Sequence, residues 1–408
     1  MADMIEWIGN TMKPVHKAKV AVDFLGEKEI FKARQFHMSL PEYRETPLQG
    51  LDTLANLLGV AGVYVKDESY RFGLNAFKVL GGSYAMARYL AQKLDQDISE
   101  MPFPVLTSPQ TRNQLGEITF TTATDGNHGR GVAWTARHLQ QKAVIYMPKG
   151  TARRRLENIR AEGAEAYITD LNYDDAVRLS AENASKYGWV IVQDTAWEGY
   201  YDIPTWIMQG YGTMAAEALS QLKRQGIEKP THIFVQAGVG SLAGAVQGYF
   251  ASLFGNERPI TVIVEANRAA CLYKSVSIGD GAPHFVGGNM DTIMAGLACG
   301  EPNTIGWEVL RDYSDLFVSC PDWVSALGMR MLASPLGRDP RIVSGESGAV
   351  TAGLLNVIMR DKGLKQLKDK LKLDRNSRVL LFSTEGDTDP VKYASIVWGG
   401  EYPAPQYA

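Results

Sequence analysis

Three cysteines in 408 residues are too few for a disulfide framework, so a reducing compartment, the cytoplasm, is the default expectation. Cys271 and Cys299 could pair, yet sequence cannot bring two thiols within bonding distance. All three are read as ordinary thiols. Charge of one sign is also lacking. Lys and Arg total 42 against 45 Asp and Glu, a formal net charge of -3, which excludes the basic footprint of a nucleic-acid binder. No charge run suggests a disordered tail. No apolar stretch reaches the ~20 residues of a membrane span, and MADMIEWIGNTMKPVHKAKV holds no leader-like apolar core. Internal repeats and low-complexity linkers are missing too.

What remains is an ordinary globular composition, 45% hydrophobic and 21% charged, long enough for two domains or one large α/β unit with an insertion. Short β-branched or aromatic runs alternate with helical patterns. The expected strands are GVYVKD (62–67), ITFTTA (118–123), KAVIYM (142–147), EAYITD (165–170), WVIVQD (189–194), THIFVQA (231–237), ITVIVEA (260–266) and RVLLFST (378–384). Segments such as TARRRLENIRAEG and YDDAVRLSAENASKYG read as helices between them. That alternation predicts an α/β fold with open, mostly parallel sheet and helices on both faces.

Four expected strands run straight into polar or glycine-rich segments: TTATDGNHGRG, VQDTAWEGY, VQAGVGSLAG and FSTEGDTDP. Ligands of open α/β sheets lie beyond the carboxyl ends of strands, so four decorated ends point to one composite site. In QAGVGSLAG, Gly238, Gly240 and Gly244 let backbone N–H groups approach an anion at a helix start, with Val239, Ser241 and Leu242 between them. A structural glycine turn is the plainer reading. A nicotinamide site is a third, because Glu265 ends the next strand where a ribose-binding acid would stand.

In TTATDGNHGRG, Asn127 offers an amide to a hydroxyl or phenolate oxygen, and the backbone at the helix start suits a carboxylate. His128 is either catalytic or a structural hydrogen-bonder of a glycine-flanked turn. Asp125 opposes an anion-binding turn unless it accepts a proton or holds an ammonium. Asp194 is a second site carboxylate or a turn-former. Ser383 and Thr384 present hydroxyls at the end of the last apolar strand.

Lys78, in RFGLNAFKVLGGSYAMARYL, poses the sharpest choice. A helix is expected from Ala76, with Asn75 as N-cap. Lys78 then sits in the first turn, where the dipole disfavours a cation. Either its stem lies along the surface with the head in water, or a site that penalises the ammonium yields a neutral amine able to form a Schiff base.

Lysine at a helix start, GNHG about fifty residues on, a glycine cradle and a late Ser-x-x-Gly-Asp together resemble the tryptophan-synthase-type, or fold type II, pyridoxal-phosphate enzymes. More closely the chain resembles the diaminopropionate ammonia-lyase family. YRETPL, VKDESYRFGLNAFKVLGGSYA, TTATDGNHGRGVAW, AVIYMPKG, VQDTAWEGY, IPTWIMQGY, QAGVGSLAG, TIMAGLACGEPN, RIVSGESGAV and STEGDTD carry the likeness from about residue 34 to 390.

The resemblance implies two α/β domains with pyridoxal 5'-phosphate in the cleft between them. The expected boundaries are 1–90 plus 226–408 for a large domain and 91–225 for a smaller inserted one. It implies that Lys78 carries the cofactor, that Asn127 faces the pyridine 3-oxygen, and that Gly238, Val239, Gly240, Ser241 and Leu242 cradle the phosphate. Ser383, or Thr384 beside it, would partner the pyridine nitrogen. A hydroxyl there leaves the ring a weaker electron sink than a carboxylate would, which favours elimination of a good β-leaving group.

The implied reaction of this carbon–nitrogen lyase is α,β-elimination on D- and L-2,3-diaminopropionate, giving pyruvate and two ammonia. Lys78, Asp125 and Asp194 would be catalytic. Thr124, Asp125, Gly126, Asn127, His128 and Asp194 would bind substrate. Lys78 and Asp125 would each remove the proton of one enantiomer. The serine and threonine dehydratases, D-serine deaminases among them, usually carry a small residue at the place of Asp125 and Arg at that of Leu80; they are the rival reading. The family also implies a homodimer. No metal ligand is assigned, and neither membrane nor nucleic acid is expected as a partner. Glu346, in SGESGAV, stays unassigned between ring contact and packing.

Overall fold

The computed structural model describes residues 4–12, 19–124 and 126–405. Its strands, in chain order, are β1 (Glu6–Gly9), β2 (Leu48–Gly50), β3 (Gly62–Asp67), β4 (Thr119–Ala123), β5 (Lys142–Met147), β6 (Glu165–Ile168), β7 (Val190–Ile191), β8 (His232–Gln236), β9 (Ile260–Ala266), β10 (Leu316–Cys320) and β11 (Arg378–Ser383). They form two sheets in two compact units. One unit comprises Met1–Gly26, Glu45–Ala76 and Met214–Ala408; the other comprises Glu27–Arg44 and Phe77–Thr213.

The first unit holds a seven-stranded sheet of order β1-β10-β9-β8-β11-β3-β2. The five inner strands run parallel, and β1 and β2 close the two edges antiparallel. β8 and β10 are buried along their whole length, and β9 and β11 at all but the first residue. Burial on both faces explains why these strands read as continuous Val, Ile, Leu and Phe rather than as an alternation. Leu and Val of β9, β10 and β11 share a core with the helices Asp322–Ala333 and Glu346–Arg360.

The second unit holds a parallel four-stranded sheet of order β6-β5-β4-β7. Against it lie the helices Asn127–His138 and Tyr173–Tyr187. Val79–Lys93 packs on Asn127–His138, and its first nine residues are all buried.

The eight expected strands are present, three of them with unchanged bounds, while β1, β2 and β10 escaped the reading. β1 and β2 are four and three residues long, too short for a period-2 signal. β10 carries Ser and Cys in its second half. The helix expected from Ala76 begins instead at Val79, with Lys78 in the N-cap position. Asn75 is therefore not its cap. It adopts a left-handed backbone, φ 60°, accepts the Gly386 N–H on its carbonyl, and donates its amide to Asp387. Asparagine tolerates that conformation better than most residues.

Candidate active site

The four decorated loops fall in two adjacent pairs. TTATDGNHGRG follows β4 and VQDTAWEGY follows β7, neighbours in the four-stranded sheet. QAGVGSLAG follows β8 and STEGDTDP follows β11, neighbours in the seven-stranded sheet.

In the smaller unit the geometry is set by backbone satisfaction. The Thr124 hydroxyl accepts the N–H groups of Gly126 and Gly129, satisfying donors at the start of the helix that Asn127 opens. Gln193 extends the β4–β7 pairing past the last strand residue: its Oε1 accepts the Ala123 N–H, and its Nε2 donates to the Ala123 carbonyl. Tyr200 locks the other side of the turn, accepting the Gln193 N–H and donating to the Ile191 carbonyl. These bonds fix the next residue, Asp194.

Asp194 is buried and ion-paired with the Lys78 amine. Burial pushes its carboxyl up, but the Lys78 ammonium, with His128 and the hydrogen bond from Lys78, outweighs this and holds it at about 2. The acid is thus an anion at neutral pH while the Lys78 ammonium faces it. The rings of Phe77 and Tyr211, 4.8 Å apart, flank the amine at 5.6 and 5.9 Å. Lys78 does not wave in water: one-fifth of its side chain is accessible.

His128 is anchored to the backbone. Its Nε2 donates to the Val192 carbonyl at 2.7 Å, which turns Nδ1 toward Asp194, 4.0 Å away. Gly131 lets the two helix starts meet, since a Cβ there would stand 2.9 Å from the Val79 Cα. Asp125 lies outside the described residues.

In the larger unit, Gly240 (φ 98°) caps the helix Ser241–Phe254, a backbone that L side chains avoid. First-turn N–H groups of a helix have no partner within it, so this loop presents donors to an anion. Sequence reasoning missed the residue that holds it. Asn303 donates its amide to the Ser241 hydroxyl at 2.7 Å and its N–H to the Val239 carbonyl, while its Oδ1 caps the following helix through Gly306. An N-cap signal, EPNTIGWEVL, was there to find.

At the end of β11, Ser383 donates to the Ser344 hydroxyl at 2.8 Å, and Thr384 accepts the Gln236 amide. Glu346 is buried in the first turn of Glu346–Arg360. The ribose-acid reading of Glu265 is overturned. Both of its oxygens accept backbone N–H groups, from Leu272 and Tyr273, and burial pushes its carboxyl up to about 8 despite them. Cys271, Cys299 and Cys320 are free thiols. Among the described residues no helix is long and apolar enough to cross a membrane.

A lysine held by a buried carboxylate, together with a glycine-rich helix start and buried hydroxyls at strand ends, defines a class. The family model described as "Pyridoxal-phosphate dependent enzyme" matches residues 40–384. Diaminopropionate ammonia-lyase of Salmonella typhimurium is 50% identical over 401 residues, 98% of this chain and 99% of the relative. The crystal structure of the Escherichia coli diaminopropionate ammonia lyase in complex with D-serine aligns with a TM-score of 0.91 and 48% identity, covering 98% of each chain. The same enzyme in complex with an aminoacrylate-PLP azomethine reaction intermediate aligns at 0.88 and 48%, again over 98% of each. The chain belongs to the diaminopropionate ammonia-lyases, within the pyridoxal-phosphate dependent enzyme family.

Proposed function

We propose that this protein eliminates the β-amino group of D- and L-2,3-diaminopropionate, giving pyruvate and two ammonia. The residues fit pyridoxal 5'-phosphate. The first-turn N–H groups behind Gly240, which a helix does not satisfy internally, suit its phosphate, and Lys78 is an amine in a mostly buried setting. Gly238, Val239, Gly240, Ser241 and Leu242 would hold the phosphate, Asn127 the phenolic oxygen, and Ser383 or Thr384 the ring nitrogen. When bound, the cofactor supplies the electron sink that acidifies the substrate Cα–H.

The observation that carries the reading is the buried Asp194 carboxylate paired with the Lys78 ammonium. Were Lys78 to hold the cofactor, Asp194 would lose that close ammonium. His128, 4.0 Å away, would then be its nearest charge partner, and a buried carboxylate so poorly matched is costly. The second ammonium of diaminopropionate restores the balance; the hydroxyl of serine does not. Asp194 therefore binds and orients the leaving nitrogen in this reading. The freed Lys78 amine takes the Cα proton of one enantiomer and Asp125 that of the other. The helix start at Asn127 and His128, after Thr124 and Gly126, receives the substrate carboxylate.

Asp194→Asn tests this. The ratio of kcat/KM for diaminopropionate to that for serine should fall at least tenfold, about the effect of losing one charge-assisted hydrogen bond. An unchanged ratio refutes the role. A homodimer and a cytoplasmic location belong to the same proposal; sedimentation of the purified protein checks the first.

A further inference from the structure

The larger unit carries a cavity of about 240 Å3 that the reaction does not use. It lies among the helices Asp52–Leu58, Asp322–Ala333 and Glu346–Arg360. Leu54, Leu327 and Met331 give it hydrocarbon walls, and Asp339, Asn356 and Arg360 are its principal polar groups.

Two of these polar groups are unspent. Asn356 is 95% buried by the complement of its 5% exposure, yet its amide makes no hydrogen bond among the described residues. The amide lines the cavity and is open to water there, so a ligand that displaces that water must supply an acceptor in its place. Arg360 stands four residues on along the same helix face; it is exposed and has no acidic partner among the described residues. Asp339, by contrast, is engaged, with one oxygen on the Thr53 N–H at 2.8 Å and the other on the Leu54 N–H at 2.9 Å. Asp339 keeps its charge but is held on the backbone, so the donors left without an acceptor among the described residues are those of Asn356 and Arg360.

We propose that this cavity is a second ligand site, for a small monocarboxylate with a compact branched hydrocarbon body. The carboxylate is received by the Arg360 guanidinium and the Asn356 amide, and the body lies against Leu54, Leu327 and Met331. The volume, below the ~300–1,000 Å3 of drug-sized pockets, restricts the occupant to a metabolite-sized molecule.

The test titrates the holoenzyme with 4-methylpentanoate by calorimetry or ligand-observed NMR, with and without saturating diaminopropionate. Expected are one equivalent per chain, no competition with substrate, and about tenfold weaker binding for Arg360→Ala and for Asn356→Leu. The neutral isostere 4-methylpentanamide should also bind at least tenfold more weakly. Absence of binding, competition with substrate, equal binding of the amide, or indifference to Arg360→Ala overturns the proposal. So does dissociation of an oligomer by Leu336→Glu, which would put a second copy over this groove; Leu336 lines it and is half exposed.

Discussion

Replacing Gly131 by alanine perturbs the site without touching a polar atom. The new Cβ would lie 2.9 Å from the Val79 Cα, 3.0 Å from its N and 3.3 Å from the Lys78 carbonyl carbon. Carbon pairs rest at ~3.5–4.0 Å, so the helix starts must separate by roughly 0.6–1.1 Å. All three atoms are backbone, and no side chain can swing aside. Overpacking of this kind costs ~1–3 kcal/mol, whereas alanine returns about 1 kcal/mol of helix propensity. The net loss of stability is about 0–2 kcal/mol. Activity is the sharper readout. Lys78 moves with Val79, and a misplacement near 1 Å costs up to ~100-fold in rate. Steady-state pyruvate formation should therefore fall about 10- to 100-fold, with denaturation little changed. Gly131→Ala with full turnover would refute the close-approach argument.

Two further substitutions probe separate parts of the molecule. Asp125→Asn should impair one enantiomer of diaminopropionate far more than the other, measured as separate kcat values; equal losses would contradict a proton-abstracting role. Glu217→Gln removes the buried carboxylate that receives Lys66 at 2.7 Å and Arg71 at 2.7 and 3.0 Å. Glu68 would then be left with the Arg71 guanidinium and a less well matched Lys66, and breaking such a buried pair costs ~3–5 kcal/mol. The thermal midpoint should drop clearly, and an unchanged midpoint would show that the pair adds little.

β9 and β11 were legible because burial on both faces forces long apolar runs, ITVIVEA and RVLLFST; β10, equally buried, was not, because Ser319 and Cys320 break its run. β1 and β2 were not, because three or four residues at a sheet edge leave no period. Lys78, Asn127 and the glycine cradle stood out for being out of place: a cation at a helix start, and glycines where a strand turns into a helix. Asn303 did not, because its service to the Ser241 loop spans 62 residues of chain. The Lys78–Asp194 pair likewise joins positions 116 residues apart, and only the folded sheet brings the end of β7 to the amine. Glu265 misled because strand-end acids cap helices as readily as they bind ribose.

The central claim is that the substrate's second nitrogen departs. Purified protein supplied with 2,3-diaminopropionate should release two ammonia for each pyruvate, quantified in the same reaction. A ratio of one, or turnover of serine in preference to diaminopropionate, would contradict it.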